Sequence, residues 1–236
     1  MKIFISGIDT GVSGTHISQI DKMKWNLVSY YYMRKHDDLF NELKDRSETM
    51  IIDSGAHSFQ KGKKVEWLQY TKDYAEWIVK NDSNKILGYF EMDIDNIIGY
   101  EKVLELRKIL EGVSDKIIPV WHKNRGINNY KKMCQKYTGK IIGITGFSNE
   151  DIKDDQYPMF VNMAWHYGCR IHCLGMTRKK ILDKVPFDYT DSASWLSPLI
   201  YGRYNKELKI KKGNTNKQRG ELIKLLYINA LKMQLY

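Results

Sequence analysis

Short apolar runs alternate with longer amphipathic stretches along the chain. KIFISGI (2–8), NLVSYYY (26–32) and TMIIDSG (49–55) read as strands. The spacing then predicts a helix over 65–80, with Trp67, Tyr70, Tyr74 and Trp77 forming a stripe expected in the core. Further on, strands are predicted over KILGYFEMD (85–93), IIPVWH (117–122), KIIGITG (140–146), RIHCLGM (170–176) and FDYTDS (187–192). Helices are predicted between them, over 99–110, 128–137, 156–167 and a short stretch to 182. Strands that alternate with helices at this interval imply a parallel sheet, because parallel neighbours need a crossover between them. The number of repeats, with polar residues at the strand ends, predicts an α/β fold of the (β/α)8 TIM-like type, one domain over 1–200. Residues 201–236 are expected to hold a basic segment (KELKIKKGNTNKQRG) and a final amphipathic helix over 221–235 that packs back on the barrel.

Composition narrows the class. The chain has 236 residues, 42% hydrophobic and 28% charged, enough for a sizeable core and too apolar for disorder. No run of about 18 apolar residues occurs, so no membrane helix is expected. The start, MKIFISGIDTG, lacks the length and cleavage site of a secretory leader and reads as a first strand. Three cysteines in a chain this long fit a reducing, cytoplasmic setting better than a disulfide framework. Thirty-eight basic residues against 28 acidic ones give a net charge of +10, a field that favours polyanions, nucleic acid first. A surface that uses lysine as its default polar residue would give the same number.

The chemistry collects at the predicted strand ends. One strand ends in Asp53, followed by Ser54; others end in Asp93, with Asp95 two residues on, in His122, in Gly146, in Gly175 after His172, and in Asp191. In a (β/α) barrel those ends converge on one mouth, where the active site lies. A single aspartate there reads as a helix cap; the set reads as an enzyme. Cys169 and Cys173, with His166 and His172 nearby, resemble metal ligands by composition but lack the paired spacing of a structural zinc site, so no metal and no cofactor is expected. GIDTGVSGT (7–15) lacks the Gly-Lys-Ser/Thr ending of a phosphate-binding loop and reads as a turn.

Four of these segments resemble one family. DSGAHSF (53–59) looks like the DSGGFQ stretch of the tRNA-guanine transglycosylases, and YFEMD (89–93) falls where that family has its aspartate of FDE type. IIGITGFS (141–148) is similar to its glycine-rich IGGL-type segment, and HCLGM (172–176) followed by DYTDSASW (188–195) matches its HLMG…DxFDC order. DSASW looks closest to the smaller phage and bacterial relatives that place 7-deazaguanine bases in DNA. The resemblance implies a TIM barrel that swaps guanine for a 7-deazaguanine (preQ0-type) without cutting the backbone. Carried over by position, Asp191 would be the nucleophile and Asp53 the general acid/base. Asp93, His122, Gly146, Gly175, Ser54 and His172 would serve the base site, with Asp93 reading the purine edge and the Gly146 backbone adding hydrogen bonds. The partners implied are DNA and a free 7-deazaguanine, in a host cytoplasm if the gene is a phage's. No C-x-C-x2-C…H zinc motif follows Asp191, which favours DNA over tRNA. The same exchange on tRNA, a non-catalytic nucleic-acid-binding barrel and a glycoside hydrolase with paired carboxylates remain alternatives.

Overall fold

The computed structural model describes residues 1–9, 20, 23–59, 65–146, 152–197 and 216–235; the basic stretch over 201–215 lies outside them. In chain order, β1 (Lys2–Ser6) precedes β2 (Met23–Ser29), α1 (Tyr30–Met33), α2 (Asp37–Arg46), β3 (Ser47–Asp53) and α3 (Trp67–Asn81). Next come β4 (Ile86–Phe90), α4 (Asp95–Ile98), α5 (Tyr100–Glu111), β5 (Ile117–Ile118), β6 (Val120–Trp121), α6 (Gly126–Lys136) and β7 (Ile141–Thr145). The series ends with α7 (Tyr157–His166), β8 (Arg170–Leu174), α8 (Lys179–Leu182), β9 (Tyr189–Ser192) and α9 (Asn216–Ala230). Among the described residues no helix is long and apolar enough to cross a membrane.

Every strand pairs in parallel, in the order β5-β4-β3-β2-β1-β9-β8-β7-β6. The two ends of that order are consecutive in the chain, separated by Pro119 alone. One stave, 117–121, therefore pairs with β4 on one side and β7 on the other, and the ring closes through it. Proline has no N–H to give the ladder, which splits this stave in two. Its carbonyl still accepts from the Gly143 N–H at 2.7 Å. The fold is thus the TIM-like (β/α) barrel that the alternation predicts, with helices around a parallel ring.

Side chains alternate across the staves. Phe4, Leu27, Ile51, Phe90, Ile118 and Val120 fill the barrel interior. Their neighbours face the helices in two outer layers, one holding Ile5, Val28, Ile52 and the α3 aromatics, the other Ile142, Ile144, Ile171 and the α7 face. The predicted aromatic stripe belongs to the first layer, with Tyr70, Tyr74 and Trp77 buried.

Two local expectations need correction. The second strand runs over Met23–Ser29, not 26–32, and Tyr30–Met33 winds into a turn of helix. Three tyrosines favour a strand by propensity, but Tyr30 is drawn into the core against Tyr74 at 4.7 Å and Tyr70 at 5.2 Å, and packing decides. The hydrophobic pattern marks no helix over Asp37–Arg46, although its acidic first turn and basic last turn suit the helix dipole.

The last helix packs beside β1 and β2. Leu222, Ile223, Leu226 and Tyr227 are buried, and from the 3-10 turn Leu231–Leu235 that follows, Gln234 Nε2 donates to the carbonyls of Ile3 at 2.9 Å and Trp25 at 2.6 Å. The Tyr227 hydroxyl donates to Asn26 Oδ1 at 2.7 Å, and both residues are fully buried. Tyr227→Phe leaves that acceptor unpaired and is expected to lower unfolding free energy by about 1–2 kcal/mol in urea denaturation. An unchanged midpoint would mean that Asn26 finds another donor.

Candidate active site

Inner-face parity places the two key aspartates on one rim. Ile51 faces the interior, so Asp53, two residues on, faces it too; Phe4 faces the interior, and Asp191 is its lateral partner on β9. Both stand at the C-terminal ends of their strands, and only β1 and β2 separate them around the ring. Ser6 and Ser29 end those two intervening strands.

Asp191 is held by three donors. His172 Nε2 lies 2.9 Å from Oδ1, the Gly175 N–H donates to the same oxygen at 2.9 Å, and Ser6 Oγ lies 3.5 Å from Oδ2. Gly175 can aim its N–H there because its φ is 64°, a conformation that suits glycine. His172 is fully buried beneath the carboxylate, edge-on to Phe90 at 5.0 Å. Among the described residues its Nδ1 has no hydrogen-bond partner, and Nε2 is the ring nitrogen that faces the carboxylate. Donors on Oδ1 fix the group's orientation and leave Oδ2 as its less encumbered oxygen. His172, which the sequence suits to an orienting role or to packing, and Gly175 thus both bond the Asp191 carboxylate.

Asp53 closes a tight turn, accepting from the Gly55 N–H at 3.1 Å. Gly55 has φ 76°, and a Cβ there would come within 2.3 Å of Tyr31 Cβ and 2.6 Å of Ser29 Oγ. Gly55 is therefore needed for the close approach of α1. Ser54 is buried, and its carbonyl accepts from the Tyr70 hydroxyl at 2.8 Å.

Sequence reasoning missed a third carboxyl. Asp9 lies three residues beyond β1, only 3% exposed, and accepts a short hydrogen bond from the Ser29 N–H. Ser29 is the lateral partner of Asp53. Burial pushes the Asp9 carboxyl up to about 7; the Ser29 N–H opposes that rise, and the Asp53 charge adds to it. The mouth thus holds a buried carboxyl whose pKa is raised toward neutrality, with the Asp53 charge contributing to the rise. No strand-end rule marks Asp9, since it lies in a turn; a lone acidic residue in GIDTG was the available signal.

Asp93 and His122 also meet. His122 Nε2 lies 2.7 Å from Asp93 Oδ1 and 4.0 Å from Asp95 Oδ1. These three form the one group of described His, Cys, Asp and Glu residues whose ligand atoms lie within 4.8 Å of one another. Arg125 already bonds Asp95 Oδ2 at 2.7 Å and 3.0 Å, supplying a cation there. Beneath them Arg107 grips Glu91 at 2.5 Å and 2.9 Å, and Glu91 Oε1 accepts from the Val120 N–H at 2.6 Å. Burial raises the Glu91 carboxyl while the guanidinium opposes it. This buried pair ties the end of β4 to β6, and so sets Asp93 against His122.

Gly146 spends its N–H on the Leu174 carbonyl at 2.8 Å, and a Cβ there would lie 2.7 Å from Cys173 Sγ. Close packing of two staves is thus one reason for that glycine. Cys173 packs in the outer layer while His172 faces inward to Asp191, so the two side chains lie on opposite faces of β8. Cys169 Sγ donates to the carbonyls of Cys134 and Tyr137 at 3.2 Å and 3.3 Å. No protein-family model matches the chain, and a search of curated proteins finds no match either.

Proposed function

We propose that this protein exchanges guanine in DNA for a 7-deazaguanine through a glycosyl ester on Asp191. One observation carries the reading: Asp191, oriented by His172 and Gly175, shares the barrel rim with Asp53, whose lateral partner Ser29 donates its N–H to the buried Asp9 carboxyl. Displacement at an anomeric carbon suits a carboxylate nucleophile, which divides one hard step into two. In the first step, Asp191 Oδ2 bonds to C1′ as the C1′–N9 bond breaks, and the departing guanine takes a proton from Asp53. In the second, the incoming base loses a proton to Asp53, its nitrogen bonds to C1′, and the ester is released. The proton account closes over the cycle, and the protein ends as it began. The Asp93–His122 pair supplies an acceptor and a ring nitrogen for the polar edge of the purine. The base must leave the stack to reach such a rim, at a cost of a few kcal/mol, and the net charge of +10 offsets part of that through phosphate contacts.

The test is to incubate the protein with duplex DNA, single-stranded DNA or tRNA together with labelled guanine. Label is expected in DNA. Label in tRNA alone would move the substrate while keeping the chemistry, and label in no polymer would sink the reading.

A further inference from the structure

The rim beside Asp53 carries aromatic and basic side chains that the exchange chemistry leaves without a task. α1 begins where β2 ends, and the turn Ala56–Phe59 follows β3, so both stand on the mouth side. Tyr31 lies against Gly55, two residues beyond Asp53. From it the rings run outward, with Tyr32 at 5.1 Å and Phe59 at 4.7 Å, both edge-on, and Trp67 at 5.7 Å from Phe59. The Arg34 guanidinium lies 5.3 Å over Tyr31 and 5.2 Å over Tyr70, and its Nε has no hydrogen-bond acceptor among the described residues. Lys35 and His36 follow, both exposed.

Core packing accounts for only part of this cluster. Of the three tyrosines in α1, Tyr30 is 3% exposed and anchors the turn in the core. Tyr31 remains partly open and Tyr32 is 39% exposed. Anchoring a one-turn helix needs one such ring. Two more at the surface, beside an arginine and a lysine, combine flat apolar faces with positive charge. Sequence-tolerant binders of single strands use that combination, stacking bases on rings while cations follow the phosphates.

We propose that Tyr31, Tyr32 and Phe59, with Arg34 and Lys35, form a stacking platform for unpaired bases of a nucleic-acid strand entering the mouth. That the strand enters the mouth rests on the transglycosylase reading; binding itself does not. Rings beside Asp53 would take bases adjacent to the reacting nucleotide once it has left the stack, and hold the strand open.

The experiment measures binding of a fluorescein-labelled single-stranded oligodeoxynucleotide of about 12 nucleotides by anisotropy, a length covering a typical single-strand site. Tyr32→Ala is expected to weaken binding roughly 5- to 150-fold, the range for loss of one stacked base, while Tyr32→Trp keeps it. Lys35→Ala is expected to reduce the slope of log affinity against log salt by about one. An abasic strand of equal length should bind the wild-type protein at least as weakly as the base-bearing strand binds Tyr32→Ala. Equal affinity for base-bearing and abasic strands, or wild-type affinity in both Tyr32→Ala and Phe59→Leu, overturns the platform. A binding loss in these variants, in a protein that exchanges no guanine, would uphold the platform and remove the transglycosylase. Guanine exchange with binding unchanged would do the reverse.

Discussion

Asp191→Asn is expected to lower guanine exchange by on the order of 10⁴-fold or more, the loss seen when a nucleophile is removed. The substitution is conservative for the fold. Asparagine keeps an oxygen to accept from His172 and from the Gly175 N–H, and its amide takes the place of Oδ2 near Ser6. What disappears is the anionic oxygen that bonds to C1′. Magnitude separates this role from a supporting one. A hydrogen bond to a charged group contributes about 1.5–3 kcal/mol, roughly 10- to 150-fold in rate, so a residue that only orients a partner cannot account for four decades. The measurement is the rate of label incorporation per enzyme, paired with a denaturing gel that detects a protein–DNA ester. The wild-type protein should form the ester and Asp191→Asn should not. A variant within tenfold of the wild-type rate would remove Asp191 from the chemistry, and with it the covalent route.

The barrel was legible because two periodicities alternate: apolar runs short enough for staves, and amphipathic stretches long enough for crossovers. What escaped was decided by tertiary contacts. The tyrosine run after Ser29 has strand propensity but lies over the α3 aromatics, which pull Tyr30 inward and start a helix. The split at Pro119 shows in the sequence as a residue with no N–H, yet only the closed ring reveals that both halves belong to one stave.

The candidate site was legible to the extent that chemistry sits at strand ends. Asp53, Asp93, His122 and Asp191 all reach the C-terminal side of the ring. The division of labour among them was not, because it depends on which face each residue takes. His172 and Cys173 are adjacent in sequence and point to opposite sides of β8, so one supports Asp191 and the other packs against α7. Asp9 was missed for a related reason. Its significance comes from burial under a turn and from the Ser29 N–H, and neither leaves a pattern in the chain.

That same burial gives Asp9 a large and signed effect on stability. Its carboxyl is raised from 3.8 to about 7 in the folded protein. Between those values the folded state keeps a proton that the unfolded chain releases, so the unfolded state binds fewer protons and stability falls as pH rises. The contribution is fully present below pH 3.8 and is lost by the time pH passes about 7. At 1.36 kcal/mol per unit, the interval corresponds to about 4 kcal/mol. Asparagine resembles the neutral acid in shape: its oxygen can accept from the Ser29 N–H and its amide replaces the hydroxyl, with nothing left to ionise. Asp9→Asn is therefore expected to match the wild-type protein near pH 4 and to exceed it increasingly up to pH 8, by as much as about 4 kcal/mol. The check is urea denaturation of both proteins across that range, read as the difference between them so that other titrating groups cancel. A flat difference would mean that Asp9 ionises in the fold as readily as in the unfolded chain. Stabilisation at alkaline pH together with impaired exchange would identify a buried acid kept at the rim for its proton, at a cost to the fold.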